Sequence, residues 1–278
     1  MAEDLSQLPR SPHADKFRLA LAVLVGISIG AILIAVAVLL SHHSSSTGAE
    51  NQAGGEQWSS WQPTRANTQS DIADYVAPFY RQNGTQQLAV VTPLNIASIS
   101  ASGTPSGNGM VVAFNAAGGG SGANSKQQLG ILPGKSVAYN ICGLGAHNCQ
   151  LGGTPSTLRM LLMRREALEL SLFTLKYMPS ADNVITVLPP TQPPKKSGAK
   201  PVTTAVVFDR KELSSLLSTP LDDVLSPEAP LVSQLKLWKN SEEASGVSQL
   251  TARALFSSKV EQQQDGTKLL VLNSLPPS

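Results

Sequence analysis

Cys142 and Cys149 are the whole thiol content of this 278-residue chain, and His147 lies between them. Such a set could form a disulfide, ligate a metal, or activate the Cys149 thiolate through His147. A metal would still need a fourth ligand, and no carboxylate lies nearby in the sequence. The intervening Gly143-Leu144-Gly145-Ala146-His147-Asn148 is built to turn, so in an oxidising compartment the expectation is a disulfide closing a short loop. His42 and His43 are adjacent in a polar tract without further fixed ligands, and no metal is expected there.

A second constellation is Gly130-Ile131-Leu132-Pro133-Gly134-Lys135-Ser136, which ends as phosphate-binding loops end. Its first glycine is one residue too close, Pro133 removes a backbone donor, and a strand pattern follows where a helix N-terminus is required. It reads as a turn. Neither H-E-x-x-H nor G-x-S-x-G occurs, and no adjacent cluster of histidine with acid. The expectation is therefore a non-enzyme with no catalytic residue, cofactor or metal. The alternative is an envelope hydrolase whose active site is assembled from distant residues.

Arg165 and Glu169, four apart on a predicted helix over Ser156 to Met178, form the third candidate. At about 100° per residue, Leu158, Leu161, Leu162, Leu168, Leu172, Phe173 and Leu175 fall in one arc of about 160°, with Arg165, Glu169 and Lys176 inside it. Charges in an apolar arc require partners. The pair is expected to be a buried ion pair holding the helix in register against a sheet, with a ligand site as the rival reading.

The elements that must position these groups begin with Leu19 to Leu40, 22 residues without a charge. At about 1.5 Å per residue the run is about 33 Å long, enough to cross a hydrocarbon core of about 30 Å. Arg10, Lys16 and Arg18 precede it, and no Lys or Arg follows until Arg65, so the N-terminus is expected in the cytoplasm. Ala35-Val36-Ala37 resembles a signal cleavage site, but it lies inside the apolar run, which favours an uncleaved signal anchor. Ala22, Gly26 and Gly30 repeat every four residues and offer a face for a second helix, hence a possible homodimer. The resulting organisation is a cytoplasmic tail over 1–18, a transmembrane helix over 19–40, a polar stalk over 41–57 and an outer domain over 58–278. A subdivision near 189–200 is possible.

In the outer domain, Ile72, Tyr75, Val76 and Phe79 carry helical spacing within Thr68 to Tyr80, on a helix expected to pack on a sheet. Strand patterns occupy Gln87 to Thr92, Met110 to Asn115, Ser136 to Ile141, Asn183 to Leu188 and Ala205 to Phe208. A short helix is expected from Asp209 or Arg210 to Leu217, and a hairpin of Ala252 to Gln262 with Lys268 to Leu272 turning at Asp265-Gly266. The fold class is α+β: an antiparallel or mixed sheet packed on one long helix. A net charge of +2 with 14% charged residues gives no basic stripe, which excludes nucleic acid as an expected partner.

At Arg164-Arg165-Glu166-Ala167-Leu168-Glu169-Leu170, the Cys142 to Cys149 loop and Trp58 to Pro63, the chain resembles an uncharacterised group of actinobacterial proteins. These have a single N-terminal anchor and one extracytoplasmic domain. The resemblance implies that architecture and attaches no activity, ligand or catalytic residue. The expected role is a single-pass plasma-membrane protein whose outer domain binds or scaffolds in the cell envelope. Its expected partners are the lipid bilayer and an envelope protein.

Overall fold

The computed structural model describes residues 57–64, 68–99, 104–115, 129–145, 149–191 and 201–275. The 19–40 run with Ala22, Gly26 and Gly30, the tail, residues 41–56 of the stalk and His147 lie outside the described residues. No helix among the described residues is long and apolar enough to cross a membrane.

The described chain is α+β with a mixed sheet. A helix α1 (Thr68–Val76) ends in a 3₁₀ turn (Ala77–Phe79) at Pro78, whose ring removes a helical donor. Then come β1 (Ala89–Leu94), β2 (Ser98–Ile99), β3 (Pro105–Ser106), β4 (Val111–Asn115), β5 (Leu129–Ile131) and β6 (Ser136–Gly143). The long helix α2 (Thr157–Tyr177) leads to β7 (Asn183–Val187) and β8 (Thr204–Asp209). Four more helices, α3 (Ser214–Leu217), α4 (Leu221–Val224), α5 (Leu235–Trp238) and α6 (Glu242–Arg253), precede the hairpin of β9 (Leu255–Gln262) and β10 (Lys268–Ser274).

Eight strands form one sheet in the order β1-β6-β7-β8-β9-β10-β4-β5, while β2 and β3 pair separately. Within it, β6–β7 and β10–β4 are parallel and the other neighbours antiparallel. Two parallel strands adjacent in space need a crossover between them, and α2 is the crossover from β6 to β7. β7 and β8 pair across the Pro- and Lys-rich segment, so a single sheet runs on both sides of 189–200.

The sequence dictates both ends of α2. The Ser156 hydroxyl accepts from the Leu158 amide at 3.2 Å as an N-cap, and Pro179 follows the C-cap Met178. Its sides are less regular than an amphipathic surface helix, because it is buried nearly all round. Thr174 bonds the Tyr139 hydroxyl of β6 at 2.8 Å, which marks the sheet-facing side. Arg165 lies nine residues away, about 180° round the axis from Thr174.

The leucine arc therefore faces away from the sheet, towards the layer made by α3 to α6, and the expectation that Arg165 and Glu169 face the sheet is corrected. Ala167, Met163 and Leu170, all fully buried, share the Thr174 side instead. Lys176, expected inside the arc, is exposed: its ammonium lies 5.3 Å from the Trp58 ring and donates to the Leu217 carbonyl at 2.9 Å. A long lysine can cover apolar surface while its charge stays in water.

The entry segment is tied to the C-terminal end of α2 by aromatic rings. Trp61 stacks on Tyr75 at 4.2 Å, Trp58 meets Phe173 edge-on at 5.5 Å, and Ser59 bonds the Tyr177 hydroxyl at 2.8 Å.

Candidate functional site

Three arginines on the N-terminal half of α2 lead to two very different places. Arg165, 1% exposed, has every nitrogen engaged. Its Nε donates to Glu243 Oε1 of α6 at 2.6 Å and its Nη2 to the Ser226 carbonyl at 2.6 Å. Its Nη1 reaches Glu169 Oε2 at 3.1 Å and the Tyr80 hydroxyl at 2.6 Å, and that hydroxyl donates to Glu169 at 2.5 Å. Glu243 is held further by the Trp238 indole at 3.0 Å and the Ser226 hydroxyl at 3.1 Å.

The electrostatics follow from this geometry. Burial disfavours the Arg165 cation, but Tyr80, Glu169 and Glu243 outweigh it and hold its pKa above the ordinary value. Burial also raises Glu243, yet Arg165 and the surrounding donors bring its carboxyl below the usual range. Glu169 stays raised, because burial exceeds the help from Arg165 and Tyr80. Glu166, fully buried with neither oxygen hydrogen-bonded, is pushed well above the ordinary value, chiefly by burial and then by Glu169. A buried carboxyl with no donor to stabilise its charge favours its protonated form. This cluster ties α2 to α6, the Tyr80 segment and the 226 loop; the cavity of about 440 Å³ that Ser226 and Glu243 help to line is also lined by Asp222, Asp223 and Glu242, so its charge is negative.

Arg159 and Arg164 line a cavity of about 430 Å³ at the N-terminal, sheet-facing end of α2. They leave the helix about 140° apart, one on each side of Met160. Met160, Leu188 and Leu255 supply an apolar surface from α2, the end of β7 and the start of β9, and Thr204 lines the cavity from the start of β8. The N-cap Ser156 stands at the same end.

Arg159 is 5% exposed, yet its Nη1 and Nη2 make only long hydrogen bonds of 3.4 Å, to the Thr154 carbonyl and to Gln82 Oε1, and its Nε has no partner. Gly153 at φ +82° lets the guanidinium lie against the backbone, since a Cβ there would come within 2.5 Å of Nη1. Arg164 donates to Thr251 Oγ1 at 2.6 Å and to the Ser248 carbonyl at 2.8 Å, both neutral. The ion pairs among the described residues are Arg165–Glu169, Arg165–Glu243 and Lys259–Glu261, so neither cavity arginine has a carboxylate. Burial alone lowers both of their pKa values.

The cavity can thus attract a negative charge and cover an apolar group. Among the described residues its lining includes hydroxyls but no carboxylate, histidine or thiol that could act on them as a general base.

The remaining sequence candidates fall elsewhere. Cys142, on β6, and Cys149 lie at disulfide distance, and the Gly143 amide donates to the Cys149 carbonyl at 2.9 Å. The stretch resembling a phosphate loop turns at Gly134 (φ +86°) directly into β6. There the Lys135 amide donates to the Asp182 carboxylate at 2.8 Å, so this short cradle already holds an anion of the chain itself. No group of three or more metal-ligating side chains occurs among the described residues.

Of the cavity residues, sequence reasoning singled out neither Arg159 nor Arg164 as a ligand-binding candidate. The available signal was a pair of cations on a helix without acids at i±3 or i±4 to Arg159, whose neighbours there are Pro155, Ser156, Leu162 and Met163. Compared with family models, curated proteins and solved structures, the chain gives no match in any of the three.

Proposed function

We propose that this chain is a single-pass plasma-membrane protein of the cell envelope whose extracytoplasmic domain acts by binding, directly or as a scaffold. The cavity at the start of α2 carries the binding half of this reading: two buried or half-buried guanidinium groups beside an apolar wall, with neither a carboxylate partner nor a general base among the described residues. A site so equipped can hold a ligand but has no evident means of cleaving one. The anchor half is supported by the uncharged run 19–40 and the basic residues before it, which favour an N-terminus in the cytoplasm. Ala22, Gly26 and Gly30 offer a seam for a second copy within the membrane.

Two measurements test the reading together. External protease on cells stripped of their outer wall should digest the 58–278 part and leave a short membrane fragment; a fully protected chain would reverse the topology. Full-length protein extracted from native membranes should bring down one envelope protein reproducibly. Labelling of the domain by a serine-hydrolase probe would favour a hydrolase instead.

A further inference from the structure

We infer that the cavity at the N-terminal end of α2 is a site for a small organic anion, a carboxylate or phosphate group on an apolar body, held between Arg159 and Arg164. The inference rests on the binding half of the proposed function and is independent of the membrane tether.

Four observations converge. A buried cation is stable only when an opposite charge or good hydrogen bonds replace its water. Arg165 on the same helix meets that requirement with Glu169 and Glu243, whereas Arg159 has two bonds of 3.4 Å and an unpartnered Nε. Good N–H···O bonds to charged acceptors lie at about 2.7 to 2.9 Å, so an anion would replace weak partners with strong ones. Second, Arg164 lines the same cavity and spends its bonds on a hydroxyl and a carbonyl, keeping its full positive charge.

Third, the first turn of the 21-residue α2 opens at this end, where the positive pole of the helix favours an anion. Fourth, Met160, Leu188 and Leu255 give the cavity an apolar wall beside its hydroxyl residues, and about 430 Å³ falls in the range of about 300 to 1,000 Å³ typical of small-molecule sites. An inorganic ion alone would leave that apolar wall uncovered. A ligand with a charged head and an apolar body uses both.

The test is titration calorimetry on the full chain in a non-ionic detergent, with hexanoate, phenyl phosphate, inorganic phosphate and the neutral isostere hexanamide as probes. Hexanoate or phenyl phosphate should bind one to one, and hexanamide should bind at least about tenfold more weakly. Arg159→Gln should weaken the anion by about tenfold or more, and Arg159→Lys, which keeps the charge, by only about threefold. Leu255→Trp, which fills the cavity from β9, should abolish binding whatever Arg159→Gln does to folding.

Absence of binding by every anion up to about 10 mM would overturn the inference. So would hexanamide binding as tightly as hexanoate, or Leu255→Trp binding like the wild type. Inorganic phosphate binding as tightly as phenyl phosphate would support the anion site and overturn the apolar body. Failure of all probes in a protein that still brings down its envelope partner would leave a scaffold without this ligand site, whereas a reversed topology would leave the calorimetry unaffected.

Discussion

Arg159 and Arg165 lie six residues apart on one helix, and both are at least 95% buried, but they occupy opposite situations. Arg165 is surrounded by acceptors: two carboxylates, a phenol and a carbonyl complete its guanidinium. Arg159 faces a cavity and has no acidic partner among the described residues. The first arrangement leaves nothing for a ligand to do, since a new anion would have to displace an existing one. The second has a guanidinium held only by two bonds of 3.4 Å to neutral acceptors. Burial of a cation is thus not by itself a sign of function; what separates structure from site is whether the protein has completed the charge.

The strongest way to break this contrast is to remove Arg165. Arg165→Met strands Glu169 and Glu243 in the interior and should destabilise by about 3 to 5 kcal/mol, read from urea unfolding. Adding Glu169→Gln and Glu243→Gln should recover much of that loss, because the triple variant buries no unpaired charge. A single variant as stable as the wild type would show that the cluster is solvated, and the contrast would collapse.

Next in size is the Cys142–Cys149 loop, whose far side continues into Leu151 and Thr154 of the cavity. Reduction should lower stability by about 2 kcal/mol through loop entropy, measured by unfolding with and without a reductant. Free thiols in native, unreduced protein would remove this effect and reopen the His147 and Cys149 chemistry.

Glu166 gives a smaller effect with a defined pH sign. Its carboxyl titrates higher in the folded state than in the unfolded chain, where the ordinary value is about 4.3. Its contribution is therefore fully present below that value and is lost as pH rises towards its folded pKa. Glu166→Gln, neutral at every pH, should gain stability relative to the wild type as pH is raised from about 4 upward, by about 1 to 2 kcal/mol. Glu243 contributes with the opposite sign: its lowered carboxyl stabilises above the unfolded value, and that contribution is lost as pH falls through its folded pKa. A constant difference between Glu166→Gln and wild type across the range would mean the carboxyl is ionised and hydrated.

The smallest expected effect lies nearer the start of the same helix. Arg159→Gln should change the stability of the ligand-free protein by no more than about 0.5 kcal/mol, since it exchanges two weak bonds for relief of a desolvated charge. A loss comparable to that of Arg165→Met would make Arg159 structural and would sharpen the contrast in the wrong direction.

Much of the local structure was legible along the chain. Ser156 and Pro179 bracket α2, Asp265-Gly266 turns the final hairpin, and the β-branched runs at 111–115, 136–141 and 183–187 are strands. Helix α6 was missed and the hairpin placed three residues early, at Ala252. The signal was present in the cap Ser241, which accepts from the Ala244 amide, and in Glu242 and Glu243 of the first turn. Gly246 and the serines on either side obscured it, as poor helix formers that only packing against α2 holds in place.

The site divides in the same way. Spacing alone set Arg165 and Glu169 on one face, since residues four apart are neighbours on any helix. It could not say which way that face points, because α2 is buried towards both the sheet and the helical layer and carries no polar side to orient it. Nor could it supply Glu243, 78 residues from Arg165, or separate Arg165 from Arg159 and Arg164. Capping, turn and periodicity act through bonds within a few residues and are written in order along the chain. Whether a buried charge is completed depends on which distant segments the fold brings within about 3 Å, and only the tertiary structure decided that.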